Sequence, residues 1–233
     1  MAGELRGRTG AFLTVSDAAS RVEVVFASLP GQLYRISTPA DSGLAPSVSG
    51  RPGRVRAGLR PAPGDGPDEV RIVLNRTVRW DIRLPAGAGE QQLNLTGGRI
   101  SRVDLGAAGL AELRLPTPTG TVPISFSHGV GSVVLVTPQD IPVRIQLDGG
   151  AGPVDTPWAV QPGAAPGTVL AAPAWRTTAD RYAVHARSAL ESLTLHRSSR
   201  PATGADREPI RPGGDRPAPA GVHDLAPTRP AAR

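Results

Sequence analysis

The chain reads as all-β, a single-stranded β-solenoid with coils of about 20–21 residues followed by a disordered C-terminal tail. Three observations predict this. Ile82, Val103, Ile124 and Ile145 stand 21 residues apart, as do Leu84, Leu105, Phe126 and Leu147. Leu93, Leu113 and Val133 recur every 20, with Leu95, Leu115 and Leu135 in step. A fixed period of this length is the mark of stacked coils. Second, Val78, Trp80, Ile82 and Leu84 alternate with Arg79, Asp81 and Arg83, one apolar and one charged face of a strand. Third, small residues such as Gly87, Gly97, Gly106 and Gly129 fall between the strand candidates, where corners need backbone freedom. Strands at this spacing also fit an antiparallel β-sandwich. The charged faces favour the solenoid: its register sets Asp81 on Arg102 and Arg83 on Asp104, each pair contributing ~0.2–1 kcal/mol, and it sets Gln92 on Glu112 and Asn94 on Arg114 without a like-charge clash.

Taken in order, residues 1–69 hold N-terminal strands and a Pro/Gly-rich loop, packed on the solenoid or continuous with it. Arg21–Phe26 puts Val22, Val24 and Phe26 on one face, and Leu33–Ile36 follows the Pro30-Gly31 turn pair. The stretch 39–67 reads as a long loop with one short edge strand at Arg54–Leu59, because proline keeps strands out of sheet centres. Residues 70–197 form the solenoid. An insertion at 148–180 breaks the rhythm, with Trp158, Trp175 and no clear strand beyond Val169-Leu170. The run SALESLTL then repeats SHGVGSVVL, placing Leu193 and Leu195 where Val133 and Leu135 stood and closing the stack with one more coil. From 198 to 233, Pro, Ala, Arg and Gly leave too little apolar surface to offset ordering entropy, so disorder is expected.

Composition narrows the function. Lysine is absent, and all 26 basic residues are arginine; this Ala/Arg/Pro-rich usage resembles an actinobacterial, high-GC genome. The net charge of +6 divides evenly. Seven Arg against four acids from Arg197 onward give +3, and 19 Arg against 16 acids before it give +3 again. A nucleic-acid partner is not expected from so balanced a body. With no cysteine, neither disulfides nor a thiolate site can form. No run approaches the roughly 20 apolar residues of a membrane span, so no transmembrane segment is expected. The start MAGELRGRTGAFLTV lacks the apolar stretch of a secretory signal, which on its own points to the cytoplasm.

No catalytic residue, cofactor or metal site is expected. His128, His185, His196 and His223 have no partner at metal-ligand spacing, and neither a nucleophile elbow nor a phosphate loop occurs. GGAGPVD at 149–155 is like a calcium-binding repeat, but its Asp comes one position late and it is not in tandem. Asn75-Arg76-Thr77 and Asn94-Leu95-Thr96 match a glycosylation pattern without function in a bacterium. The candidate binding residues lie on the surface. Outward Arg83, Arg102 and Arg144 could meet an anionic polymer, although solvated pairing with Asp81 and Asp104 is the simpler reading. Trp158 and Trp175 could form a sugar platform, although covering an open end of the stack is the simpler role; Trp80, by parity with Ile82, belongs to the core.

The run W-D-I-R-L-P-A-G-A, the P-x-x-I-P-V before a strand and the closing Y-x-V-x-A…L-x-L resemble the putative-adhesin β-solenoid domains of bacteria, similar to the C-terminal domains of cell-envelope stress-response proteins. The resemblance covers roughly Arg71–Arg197. It implies a non-catalytic binding or scaffold module at the cell envelope, not an enzyme, with an unknown protein or an anionic envelope polymer as partner. Two other readings remain open: a structural protein that self-associates end to end, and an enzyme with its site in the 148–180 insertion.

Overall fold

The computed structural model describes residues 1–198; the expected disorder of the tail falls, from residue 199 on, outside the described residues. The chain is all-β, as the alternation predicts. Its strands are β1 (Ala2–Glu4), β2 (Gly10–Val15), β3 (Ala19–Ala27), β4 (Gln32–Ser37), β5 (Leu44–Ser49), β6 (Arg54–Pro61), β7 (Glu69–Asn75), β8 (Arg79–Leu84), β9 (Ala88–Asn94), β10 (Arg99–Leu105), β11 (Ala108–Arg114), β12 (Thr121–Phe126), β13 (Val130–Thr137), β14 (Val143–Leu147), β15 (Val154–Thr156), β16 (Ala159–Gln161), β17 (Thr168–Ala171), β18 (Arg181–Ala186) and β19 (Leu190–Arg197). A 3-10 turn, Pro173–Arg176, follows β17.

These strands form two open sheets. The ten-stranded sheet runs β1-β4-β7-β3-β9-β11-β13-β19-β15-β16, and the nine-stranded sheet runs β17-β14-β18-β12-β10-β8-β2-β6-β5. Each coil gives one strand to the nine-stranded sheet and the next to the other; the corner between them is two or three residues in β2–β3, β8–β9, β10–β11, β12–β13 and β18–β19, and longer in β6–β7 and β14–β15. Inward residues of both sheets share one aliphatic core in which Leu13, Val24, Ile82, Leu93, Phe126 and Leu135 are fully buried. Trp80 lies there too, its indole N–H donating to the Asn75 carbonyl at 3.1 Å. Gly87 turns the β8–β9 corner at φ +77, where a Cβ would collide with the Ala107 carbonyl.

The central ladders are parallel, which excludes an antiparallel sandwich for these coils. Ile82 pairs with Val103 and Val103 with Ile124; Leu84 pairs with Leu105 and Leu105 with Phe126. On the other sheet Leu93 pairs with Leu113, Glu112 with Gln92 and Arg114 with Asn94. The next step departs from the 20-residue series: Leu113 pairs with Leu135, not Val133, and Val133 faces Ala111. The cause is corner length. Gly106-Ala107 joins β10 to β11 with two residues, whereas Pro85–Gly87 and Ser127–Gly129 use three, so one step is short and the next is long.

Both ends of the stack are built out of sequence order. Ile145 and Leu147 do not lie on Ile124 and Phe126. They pair with Val184 and Ala186, and these in turn pair with Ile124 and Phe126. The coil β18–β19 therefore slots between two coils made earlier, rather than closing the stack. Leu193 and Leu195 do pair with Val133 and Leu135. The loop that carries the chain past the gap is held by Arg197, whose guanidinium donates to Thr137 Oγ1 at 2.8 Å and to the Pro138 and Ile141 carbonyls. Its burial pushes its pKa down. At the other end β2–β3 lies between β8–β9 and β6–β7. There the buried Asn75 amide ties β7 to the Leu29 and Gln32 carbonyls.

The stretch 39–67 is more ordered than its composition suggests. It carries β5 and β6, and β6 is internal; the edge falls to β5, which holds Pro46. The 148–180 segment likewise carries β15, β16 and β17. The outermost strands β1, β5, β16 and β17 run antiparallel to their neighbours.

Candidate functional site

The outward residues of the two sheets differ in charge. On the ten-stranded sheet, Arg21 of β3 reaches Glu90 of β9 at 2.6 Å and Glu69 of β7 at 3.2 Å. Arg71 meets Glu23 at 3.1 Å and Arg114 meets Glu112 at 3.0 Å. The hydrogen bond from Arg21, with a further one from Gln92, holds the Glu90 carboxyl below its usual range, and the same Arg21–Glu90 bond raises Arg21. Every Arg and Glu on the outward rows of β3, β7, β9 and β11 is in an ion pair.

On the nine-stranded sheet the registers line up two outward rows. One runs Arg54, Phe12, Asp81, Arg102 across β6, β2, β8 and β10; the other runs Arg56, Thr14, Arg83, Asp104 and on to Ser125 and His185. Neighbouring strands lie about 4.8 Å apart. Arg83 grips Asp81 with two hydrogen bonds, 2.8 and 3.0 Å, which raise its pKa. Arg102 Nε lies 2.7 Å from Asp104, and Arg83 reaches Asp104 only at 3.7 Å. The expected Asp81–Arg102 pair is thus replaced by pairs two residues apart on the same strand, because the local carboxylate offers the shorter reach. Arg54 and Arg56 have no carboxylate partner among the described residues; Arg54 lies over the Phe12 ring at 4.5 Å. The remaining nearby acid, Asp17, accepts the Leu59 N–H.

Small side chains hollow this face. Thr14, Ser125 and Ser127 lie low between Arg83, Arg102 and Arg187, with Asp104 also on the lining, around a depression of about 450 Å³. A second depression of about 570 Å³, bounded by Phe12, Arg51, Arg54 and Arg56, shares Thr14 and Arg83 with the first. The two join into one trough crossing β6, β2, β8 and β10.

Of the residues singled out from the sequence, Arg83 and Arg102 are brought together here. Arg144 is not: β12 and β18 separate its strand from β10, and its guanidinium donates to Gln146. Trp158 and Trp175 lie on separate elements at the β14–β15 end of the stack. Trp158 packs on the core with Arg197 over its ring at 5.7 Å, and Trp175 is covered by Arg181 at 4.5 Å. One ring face of each tryptophan is therefore covered from within the chain. In the 148–180 segment the acids go separate ways. Asp148 sits 2.6 Å from His185 Nε2, and Gln146 together with His185 keeps its carboxyl below the usual range; Asp180 accepts the Gly120 N–H at 2.6 Å; Asp155 is exposed on β15. Among the described residues no three His, Asp or Glu side chains gather closely enough to hold a metal ion, and no helix is long and apolar enough to cross a membrane.

Sequence reasoning missed Arg51, Arg54, Arg56 and Phe12. The signal was the alternation R-V-R-A at 54–57, which matches R-W-D-I-R of β8 in parity.

No protein-family model and no curated protein matches this chain. Solved structures do, among them a protein described as "a putative cell adhesion protein" from Clostridium sporogenes, with a TM-score of 0.67 at 15% sequence identity over 85% of this chain and 97% of that one. At that identity the likeness shows a shared fold, an all-β arrangement of two mixed sheets.

Proposed function

We propose that the chain is a non-catalytic binding module of the bacterial cell envelope, and that the outer face of its nine-stranded sheet docks on anionic surface polymer. The observation that carries this reading is the imbalance on one face: between β6 and β10 the outward rows hold Arg54, Arg56, Arg83 and Arg102 against Asp81 and Asp104 alone. Guanidinium forks suit phosphate and carboxylate groups. The fold shared with a protein described as a cell adhesion protein supports a role in holding on to other molecules. Sedimentation with purified wall polymer or with phosphatidylglycerol vesicles, across a salt series, tests the reading. Binding should be firm at low salt and weaken steeply toward physiological salt, where exposed charges are screened over about 8 Å.

A second reading, end-to-end self-association, is favoured by one feature: Val160 and Val169 are 77% and 48% exposed on the edge strands β16 and β17. Sedimentation velocity over a range of protein concentrations separates the two, since only self-association raises the mass without polymer.

A further inference from the structure

We infer that the trough across β6, β2, β8 and β10 is the seat of an extended, single-chain polyanion, a linear phosphate polymer without bases, and that the hairpin arginines Arg51, Arg54 and Arg56 supply most of the attraction. This rests on the proposed role of the nine-stranded face and adds to it the ligand class and the residues.

The argument begins with which arginines are available. Arg83 and Arg102 already spend their charge on Asp81 and Asp104. Arg79, Arg99 and Arg181, each at the start of its strand, donate to the Thr119, Thr77 and Trp175 carbonyls at the corners. Arg51, Arg54 and Arg56 have no acidic partner among the described residues, and all three are exposed. They border the same depression, where Gly50 and Gly53 turn the β5–β6 hairpin at φ +122 and +81. Arg83 contributes the opposite wall.

The trough's direction sets the shape of the ligand. It runs across the strands, so successive basic rows recur at multiples of about 4.8 Å. Thr14 on β2 and Ser125 at the β12 border line its low points, with the Asp104 carboxylate between them held by Arg102; the short side chains leave room for a backbone, and their hydroxyls can donate to phosphate oxygens. An extended chain with regularly spaced charges engages several rows at once, and linking the contacts raises avidity. Aromatic content argues against nucleic acid. Single-strand binders stack bases on several aromatic rings; here Phe12 is the lone aromatic lining the trough, and Arg54 covers its face.

The test uses the full chain and three probes: linear inorganic polyphosphate of graded length, oligo-dT of similar charge, and phosphatidylglycerol vesicles. Affinity for polyphosphate should rise with length until the trough is filled and then level off, and oligo-dT should bind at least tenfold more weakly. The double variant Arg54→Gln/Arg56→Gln, altered at exposed side chains, should lose at least tenfold for polyphosphate, whereas Arg144→Gln should lose little. Absence of polyphosphate binding at the lowest salt overturns the inference; if vesicles still bind, the broader role of the face survives without it. Equal losses in the two variants also overturn it, by showing that the attraction is spread over the surface. Oligo-dT binding as tightly as polyphosphate overturns the choice of polymer and assigns the trough to single-stranded nucleic acid.

Discussion

On the ten-stranded sheet, across β7, β3, β9 and β11, three arginines meet four glutamates, and every one of them is paired; on the nine-stranded sheet, in the two rows described between β6 and β10, four arginines meet two aspartates. The same stack of coils thus presents one face neutralised by its own ladder and one face with cationic charge left over. The pairing geometry differs as well. Arg21 bridges three strands through Glu69 and Glu90, so its charge serves the sheet. Arg83 and Arg102 close mainly on carboxylates two residues away on their own strands, and they leave Arg54 and Arg56 uncompensated. A near-balanced sum, 19 Arg against 16 acids before Arg197, therefore says little about local field. What a ligand meets depends on which rows the coils bring side by side.

The largest expected effect removes both faces at once. Phe126 is fully buried between Leu105 and Ala186, so Phe126→Ala should cost about 3–5 kcal/mol in urea unfolding; a loss under about 1 kcal/mol contradicts the observed register. Next come charge reversals on the nine-stranded face. Arg83→Glu with Arg102→Glu should weaken polymer binding more than tenfold in sedimentation, whereas Asp81→Asn with Asp104→Asn should leave it intact or stronger, provided circular dichroism shows both variants folded. If both pairs weaken binding alike, the two faces do not differ in the way described. The contrasting change is Arg21→Gln on the ten-stranded face. It should lower the melting temperature slightly and leave binding unchanged, since exposed pairs contribute little.

The smallest effect is a pH dependence that arises on the ten-stranded face from Glu90. The Glu90 carboxyl is depressed in the folded chain, chiefly by Arg21. The stability it contributes is complete above the unfolded value of about 4.5 and is lost as pH falls through the lower folded value. Arg21→Gln should therefore flatten the acid side of a melting-temperature profile below about pH 4.5, with no change at neutral pH beyond the loss just described. An unchanged acid limb would show that Glu90 is held by something other than Arg21.

Much of the middle of the fold was legible in the sequence. Ile82, Val103 and Ile124 repeat because each coil returns the same inward position, and period-two alternation marks the faces. The ends were not legible, for a topological reason. A repeat of 21 residues gives the length of a coil but not which coil becomes its neighbour, so Ile145 continued the series numerically while β18 took the adjacent place in space. Corner length hid the Leu113–Leu135 pairing. The arginines of β6 were hidden by their setting among Pro and Gly, where composition suggested a loop. The two N-x-T runs carry no glycosylation meaning, yet each builds a turn at a matching corner: Asn75 Oδ1 accepts from Thr77 N–H and Oγ1 at 3.0 and 2.8 Å, and Asn94 Oδ1 accepts from Thr96 at 3.3 and 2.7 Å. Their local chemistry was readable as an Asx turn.

The central claim is that uncompensated arginine on one face attracts anionic polymer, and a salt titration of polymer binding tests it most directly. Full-length protein would be sedimented with purified wall polymer from low salt to physiological salt, beside the Arg54→Gln/Arg56→Gln variant. Firm binding at low salt that falls steeply as salt rises, and that is largely lost in the variant, is the predicted result. No binding of the folded protein at the lowest salt, or binding that salt and the variant leave unchanged, contradicts the claim.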